Sequence, residues 1–430
     1  MKFQIITLGC KVNAYESEFM LENLLASGYI LDEENPDIVI INTCSVTNMA
    51  DRKSRKLVHK ARREHEKAIL VVAGCSAQNH QEDYQKMGID ILIGNRNKSK
   101  ISSIIDEYLK ERKPYVYFTK ERALDFEDMK VDEFTTHTRA FVKVQDGCDN
   151  FCSYCIIPYV RGSIRSKDFD TAIEEVKTLV LNGHKEVVLT GIHTGSYSSN
   201  GHDLSDLIEE MAKIPALERI RISSIEITEL NDKFLALLKK EGKIANHLHI
   251  PLQSGSDTVL KRMNRKYDTA YYREKIAKIR EIRPDISITT DCIVGHPYES
   301  DACFLEYVDF CREMKFAKMH VFPYSLRSGT AASFMPQVDE KTKKERTHVL
   351  LALSDELERE YAQKFLHKTL DVITEEYEGE YTTGFTSNYL KVYLKGDYQL
   401  NQVYACQIEK IENHYVYARV VTCLNHEIEV

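Results

Sequence analysis

The sequence predicts an α/β chain in three parts: an N-terminal domain built on a parallel α/β sheet, a central domain of six strand–helix units, and a small antiparallel β-barrel at the C-terminal end. Three observations carry this. Short apolar runs alternate with helix-length stretches over the first 112 residues and again from 138 to 367, the pattern of parallel sheets covered by helices. From 368 onward the chain turns to short β-branched and aromatic runs separated by turn residues. At 430 residues and 43% hydrophobic content, two or three separate cores are expected.

Over residues 1–112, strands are expected at 3–8, 38–42, 69–73 and 89–93, and helices at 14–27, 50–66 and 98–110. The first three strands each end in a cysteine: Leu8-Gly9-Cys10, Asn42-Thr43-Cys44 and Ala73-Gly74-Cys75. Open parallel sheets bind ligands beyond the carboxyl ends of their strands, so these three thiols converge at one edge. Buried, inert cysteines are common in cores. Core packing, however, gives no reason to repeat one strand-end position three times. Glycine before Cys10 and Cys75 lets the backbone approach a bulky group. A cluster with one open iron is the sharper expectation. Residues 113–137 mix charge and aromatics without periodicity and read as a linker packed against its neighbours.

From 138 to 367, strands are expected at 140–145, 186–190, 219–223, 247–252, 287–294 and 320–324, with a long closing helix over 340–367. The first strand runs into Gly147-Cys148-Asp149-Asn150-Phe151-Cys152-Ser153-Tyr154-Cys155, a C-x3-C-x2-C spacing. Structural zinc usually takes C-x2-C pairs and four ligands. Three cysteines in eight residues with no fourth ligand nearby fit a [4Fe-4S] cube better, its fourth iron left open to chelate S-adenosylmethionine. Cys148, Cys152 and Cys155 are therefore the catalytic candidates, and with Cys10, Cys44 and Cys75 they are the metal candidates. Strand ends form the active face of such barrels and supply the cofactor-binding candidates Gly191, His193, Ser223, Glu226, Gln253, Asp291 and Gly295, with Tyr154 on the cysteine loop. Cysteines 292, 303, 311, 406 and 423 are expected to be small core residues.

In the tail, strands are expected at 370–373, 390–394, 403–411 and 416–421, with turns at Gly379, Gly384, Asn388 and Gly396. The formal charge of −8 argues against a bulk electrostatic grip on nucleic acid. It is unevenly spread. Residues 51–67 hold eight Lys/Arg against three acids, whereas the tail holds five against ten. Arg52, Lys53, Arg55, Arg161, Arg165, Tyr389 and Lys391 are the RNA-binding candidates, offering charge or a stacking surface. No run reaches the roughly 20 apolar residues of a membrane span. The N-terminus lacks a signal-peptide core, and eleven cysteines in a chain of this length point to a reducing, cytoplasmic setting.

The cysteine loop, continued through Ile157-Pro158-Tyr159-Val160-Arg161-Gly162, resembles the signature of the radical S-adenosylmethionine superfamily in its methylthiotransferase branch. The three N-terminal strand ends resemble that family's N-terminal domain, where such cysteines hold an auxiliary cluster. The strings 186–195, 219–226 and 247–267 resemble the subgroup acting on N6-threonylcarbamoyladenosine in tRNA. The resemblance implies an open partial (β/α)6 barrel for residues 138–367 and a TRAM domain for 368–430. It implies methylthiolation of adenine C2 at position 37, two [4Fe-4S] clusters, and S-adenosyl-L-methionine as both methyl donor and radical source. It further implies a tRNA anticodon loop as substrate, an external electron donor such as a flavodoxin or ferredoxin, a sulfur source, and a monomeric enzyme. One departure stands out: His296 and Tyr298 occupy positions where the family more often has phenylalanine and glycine. Two alternatives stay open. One is methylthiolation of isopentenyladenosine or of a ribosomal protein, and the other is a non-catalytic iron–sulfur protein that binds RNA or regulates. Reductive formation of 5′-deoxyadenosine separates the enzymes from the last.

Overall fold

The computed structural model describes residues 1–118, 125–135 and 137–424; parts of the expected linker and the end of the tail lie outside these described residues. The first unit is a parallel sheet of six strands, β1 (Lys2–Thr7), β2 (Ile30–Leu31), β3 (Ile38–Thr43), β4 (Ile69–Gly74), β5 (Ile91–Ile93) and β6 (Tyr115–Tyr117), in the order β2-β1-β3-β4-β5-β6. β3 (IVIINT) and β4 (ILVVAG) are buried at every position, as central strands covered on both faces must be. One face packs Met20 and Leu24 of the helix Lys11–Ala26 with Ile101, Ile104 and Ile105 of the helix Ile101–Glu111. The opposite face packs Val58 and Ala61 of the helix Asn48–Glu64. The two edge strands, β2 and β6, are too short to stand out in the sequence, and β6 uses residues expected to be linker. Further along that segment, Met129, Val131 and Phe134 are buried in the core of the next unit.

The central unit holds two three-stranded parallel sheets. One is Ala140–Lys143, Glu186–Thr190 and Arg219–Ile222, with Glu186–Thr190 in the middle; the other is His247–His249, Ser287–Val294 and Lys318–Pro323, with Ser287–Val294 in the middle. A single parallel bridge joins Ile220 to Ile244 between them. The surrounding helices start at side-chain caps. Asp168, Asn231, Asp268, Ser300 and Asp339 each accept the backbone N–H three residues on, and Asp203 forms a full capping box with Asp206. Each cap is worth about 1 kcal/mol, so six helix starts are set locally. The long helix Glu340–Gln363 packs Leu350, Leu353 and Leu357 into the shared core.

Five strands, Thr369–Glu378, Tyr381–Thr386, Lys391–Lys395, Val403–Glu412 and Tyr415–Cys423, close into a barrel. An all-antiparallel barrel is the expectation, but Lys391–Lys395 pairs parallel to Tyr415–Cys423. The reason is parity: a closed ring of five strands cannot alternate direction at every pair. The barrel docks through Tyr389, whose ring stacks on His247 (4.6 Å between centroids) and lies under the guanidinium groups of Arg221 and Arg139. Arg219 and Arg221 share the buried Glu186, and Arg139 pairs with Glu375. Cys292, Cys303, Cys311 and Cys406 are core residues as expected, whereas Cys423 is exposed at the end of its strand.

Candidate metal centres and the cleft between them

The loop bearing Cys148, Cys152 and Cys155 leaves the first central strand through Gly147. That residue has φ +75°, and a Cβ on it would fall 2.0 Å from Ser163 O, so the turn accepts only glycine. The loop is then pinned by backbone. Cys148 N–H donates to Gly162 O (3.1 Å), Cys155 N–H to Cys152 O (3.0 Å) and Ser153 N–H to Met263 O (3.0 Å). Asn264 Nδ2 donates to the carbonyls of Asn150 and Phe151. Two side chains reach the thiols. Arg265 Nη1 donates to Cys152 Sγ (3.3 Å) while its Nη2 pairs with Glu226. His193 Nδ1 lies 4.0 Å from Cys148 Sγ, with Nε2 2.6 Å from Glu229 Oε1. Burial works against a charge on His193, but its bonds to Cys148 and Glu229 carry it to about 10. Burial lifts the Cys155 thiol to about 12, a penalty that metal coordination overrides by deprotonating the ligand.

The three thiols open onto a cleft of about 220 Å³. Of the cofactor-binding candidates, Tyr154, His193, Glu226, Gln253 and Asp291 line it. Gly191 and Ser223 stop short of it, and Ile192 and Ser224 take their places. Gly191 backs onto Gln145, and Ser223 N–H stays in the sheet on Leu189 O. Gly295 is turned away: a Cβ there would meet Lys343 Cγ at 2.4 Å. Glu226 is no free acceptor, since Arg265 holds it. Thr194 Oγ1 and Gln253 Oε1 are buried in the cleft wall without a hydrogen-bond partner among the described residues. Three thiols on one loop beside orphaned polar atoms fit an iron–sulfur cluster carrying a polar cofactor.

The N-terminal triplet forms at the strand ends. Cys10 is exposed, and Cys44 and Cys75 are buried. Gly9 makes room: at φ +108°, a Cβ on it would meet Cys44 Cβ at 2.6 Å and Sγ at 2.8 Å. Asn13 Nδ2 ties two of the strand ends together through Leu8 O (2.7 Å) and Thr43 O (3.0 Å), and its Oδ1 lies 3.9 Å from Cys10 Sγ. Burial raises the Cys44 thiol to about 12. Cys75 packs on Ile156 and Val160, directly behind the other cysteine loop. A second cleft, of about 180 Å³, lies between the loop after Cys44 and the loop bearing Cys148, Cys152 and Cys155. Val46 and Thr47 line it from one side, Tyr154, Cys155 and Ile157 from the other, and Phe322 and Tyr324 complete its wall. Tyr154, Cys155, Ile157, Gln253 and Asp291 belong to both clefts.

Two RNA-binding candidates are corrected by burial. Arg161 and Arg165 are 3% and 7% exposed, and their guanidinium groups are committed to Glu16 and Asp146. Tyr389 is spent on the barrel joint, and Lys391 is paired with Glu376 and Glu378. Arg52 and Lys53 remain exposed, and Arg55 half-exposed, on the helix that begins beside the second cleft. The sequence reading missed Arg265, and it missed Arg327, whose guanidinium binds Ser45, Asn48 Oδ1 (2.8 Å) and Asp51 (2.6 Å) and so ties the segment after the last central strand to the loop after Cys44. At the departure from the family pattern, Tyr298 keeps φ +67°, a conformation that favours glycine, with Arg262 over its ring at 4.6 Å. His296 is fully buried: Nδ1 donates to Pro297 O (3.0 Å), leaving Nε2 to accept the Ser153 hydroxyl (3.0 Å).

Comparison with known proteins agrees with this geometry. The family model of the radical SAM superfamily matches residues 142–311, and that described as uncharacterized protein family UPF0004 matches residues 2–94. Among solved structures, the radical S-adenosylmethionine methyltransferase TsrM from Kitasatospora setae shares the fold at TM-score 0.56 and 14% identity, over 74% of this chain and 72% of that one. Fold and cysteine loop thus define a radical SAM protein, a class that implies a [4Fe-4S] cluster and S-adenosylmethionine. The chain is 43% identical over 406 residues to threonylcarbamoyladenosine tRNA methylthiotransferase MtaB of Bacillus subtilis, covering 91% of this chain and 89% of that protein. It is 35% identical to the tRNA-2-methylthio-N(6)-dimethylallyladenosine synthase of Thermosipho africanus, over 87% of this chain and 88% of that protein. The chain belongs to the radical SAM methylthiotransferase family.

Proposed function

We propose that this protein converts N6-threonylcarbamoyladenosine at position 37 of tRNA to its 2-methylthio form. The observation that carries the reading is the cleft lined by Cys148, Cys152 and Cys155, which continues through Tyr154, Cys155, Gln253 and Asp291 into a second cleft whose wall includes Val46 and Thr47 of the loop after Cys44. Identity to the relatives named for threonylcarbamoyladenosine, at 43% and 38%, supports the choice of substrate. Cys148, Cys152 and Cys155 would hold one [4Fe-4S] cluster, and Cys10, Cys44 and Cys75 a second. Bound there, the clusters and S-adenosylmethionine supply reductive cleavage of the cofactor and a methylated sulfur.

The chain's own residues do the rest. Gln253 and Thr194 offer unpaired polar atoms to the cofactor. Arg265 neutralises charge at Cys152 and fixes Glu226. Tyr154, Phe322 and Tyr324 form the apolar wall against which a base splayed out of an unpaired loop can stack. In this reading residues 1–112 form the auxiliary-cluster domain and residues 138–367 one open partial (β/α)6 barrel. Residues 368–430 form a TRAM-like barrel. The exposed basic side of the helix Asn48–Glu64 guides the anticodon loop's phosphates toward the cleft. The chemistry calls for an external one-electron donor, such as a flavodoxin or ferredoxin, and for a sulfur source, in the cytoplasm where tRNA is; the enzyme works as a monomer.

The test is mass spectrometry of nucleosides in total tRNA from cells lacking the protein, against the same cells complemented. Loss of the 2-methylthio nucleoside with build-up of its threonylcarbamoyl precursor is expected. Loss of the isopentenyl counterpart instead would overturn the substrate, and an unchanged profile would overturn the reading.

A further inference from the structure

Arg161 is a fully buried guanidinium at the end of the short helix Ile157–Arg161, which begins two residues after Cys155. Its Nε donates to Cys75 Sγ at 3.2 Å. Nη2 donates to Asn13 Oδ1 at 3.0 Å, and Asn13 Oδ1 in turn lies beside Cys10 Sγ. Nη1 is bound by Glu16 and Asp146, each at 3.1 Å. Lys98 and Lys143 also bind Glu16, and Lys143 and Arg165 also bind Asp146, so the two carboxylates are compensated without Arg161. Two acids with three cations of their own do not call for a fourth, and a buried guanidinium is costly unless every face of it is used. The face left over is the one turned to the sulfur. A guanidinium edge against a thiol gains little when the sulfur is protonated. It gains much when the sulfur is a thiolate, because the hydrogen bond is then charge-assisted in a dry site.

We propose that Arg161 is a positioning residue for the auxiliary centre: it holds the Cys75 thiolate directly, orients Asn13, whose Nδ2 ties the strand ends before Cys10 and Cys44, and so fastens the auxiliary cluster to the helix that follows Cys155. This deepens the proposed function and rests on its assignment of a cluster to Cys10, Cys44 and Cys75. Hydrogen bonds to cluster sulfurs and nearby positive charge are levers on cluster potential and on metal retention. Removing Arg161 leaves the thiolate charge less compensated, which disfavours adding an electron.

The test uses the full-length chain carrying Cys148→Ala/Cys152→Ala/Cys155→Ala, so that any cluster signal after reconstitution comes from the auxiliary site alone. Into it go Arg161→Gln, Arg161→Lys, and Arg161→Gln with Arg165→Gln, the last leaving Lys98 and Lys143 to balance Glu16 and Asp146 so that no surplus buried charge unfolds it. The readouts are the midpoint potential followed by electron paramagnetic resonance and the rate of iron loss to a chelator. For both glutamine variants the expected result is a more negative potential and iron loss faster by about 10- to 100-fold, the usual cost of removing an outer hydrogen-bond partner. Arg161→Lys is expected to fall between them and the parent. Folded glutamine variants with the parent's potential and iron-loss rate would overturn the role of Arg161. A parent triple variant that takes up no cluster would overturn the auxiliary-site reading itself, and the role of Arg161 with it.

Discussion

Gly147→Ala tests whether the cysteine loop is set by backbone geometry. The added Cβ would lie 2.0 Å from Ser163 O, 2.6 Å from Ser163 C and 2.8 Å from Gly162 O. All three are backbone atoms, so no side-chain rotation relieves them. Gly162 O already accepts Cys148 N–H, and Ser163 O accepts from Arg165. The opposing segment therefore cannot retreat without breaking those bonds. Strain at φ +75° costs about 1–3 kcal/mol, and overpacking a further ~1–3 kcal/mol. A total of about 2–6 kcal/mol is below or near the whole stability of a typical domain. The cheaper response is local: the loop shifts, Cys148 N–H leaves Gly162 O, and the three thiols lose their common geometry. The full-length protein is then expected to fold and keep the cluster proposed for Cys10, Cys44 and Cys75, with iron falling from about eight to about four per chain. Formation of 5′-deoxyadenosine under reductant should fall to background. Iron and sulfide analysis with chromatography of the cofactor products measures both. Gly147→Ala protein with full iron and undiminished 5′-deoxyadenosine would refute the argument that this turn admits only glycine.

Three further outcomes follow from the geometry. Arg327→Ala leaves Asp51 buried with only His80 as an ionic partner, so it should cost about 3–5 kcal/mol in urea unfolding and open the segment 325–330 to protease. His296 sits at about 4 because burial disfavours its charge, below the ordinary value of 6.5. The unfolded chain therefore binds the proton first, and the stability His296 contributes above pH 6.5 drains away as pH falls toward 4. Urea unfolding at pH 7 and pH 5 should show wild type losing about 2 kcal/mol more than His296→Phe over that interval. Replacing Arg52, Lys53 and Lys56 with glutamate should weaken tRNA binding across sequences and flatten its salt dependence by about three phosphate contacts, whereas Lys391→Ala, already neutralised by Glu376 and Glu378, should change neither.

The parts legible in the sequence are those where one local rule decides. Strands buried on both faces, such as Ile38–Thr43, announce themselves by continuous β-branched residues. The metal-candidate thiols stand out by spacing or by repeated position at strand ends, and Cys148, Cys152 and Cys155 line one cleft. The cleft residues were found less well because a strand end tells where a side chain begins, not which of two neighbours turns inward. Ser223 and Ser224 are adjacent, and only the second faces the cleft. Gly295 follows its strand like the others, but the long helix Glu340–Gln363, which begins some forty-five residues on, fills the space beside it with Lys343.

Charge is the property sequence reading handles worst, because a basic residue looks the same whether or not it has a partner. Arg52, Lys53 and Lys56 project from a helix face toward water, and nothing nearby neutralises them among the described ion pairs. Arg161 and Arg165 carry the same formal charge a few residues from the cysteine loop, which made them natural candidates for a phosphate. Their partners, Glu16 and Asp146, come from two different units of the fold. That origin also says what the buried charges do. An ion pair within one sheet steadies that sheet, but a guanidinium shared by Glu16 of the first unit, Asp146 of the second and the sulfur of Cys75 has its full set of partners only when both units are docked. The arginine is thus most stable in the one arrangement that sets Cys75 of the first unit against the helix that follows Cys155.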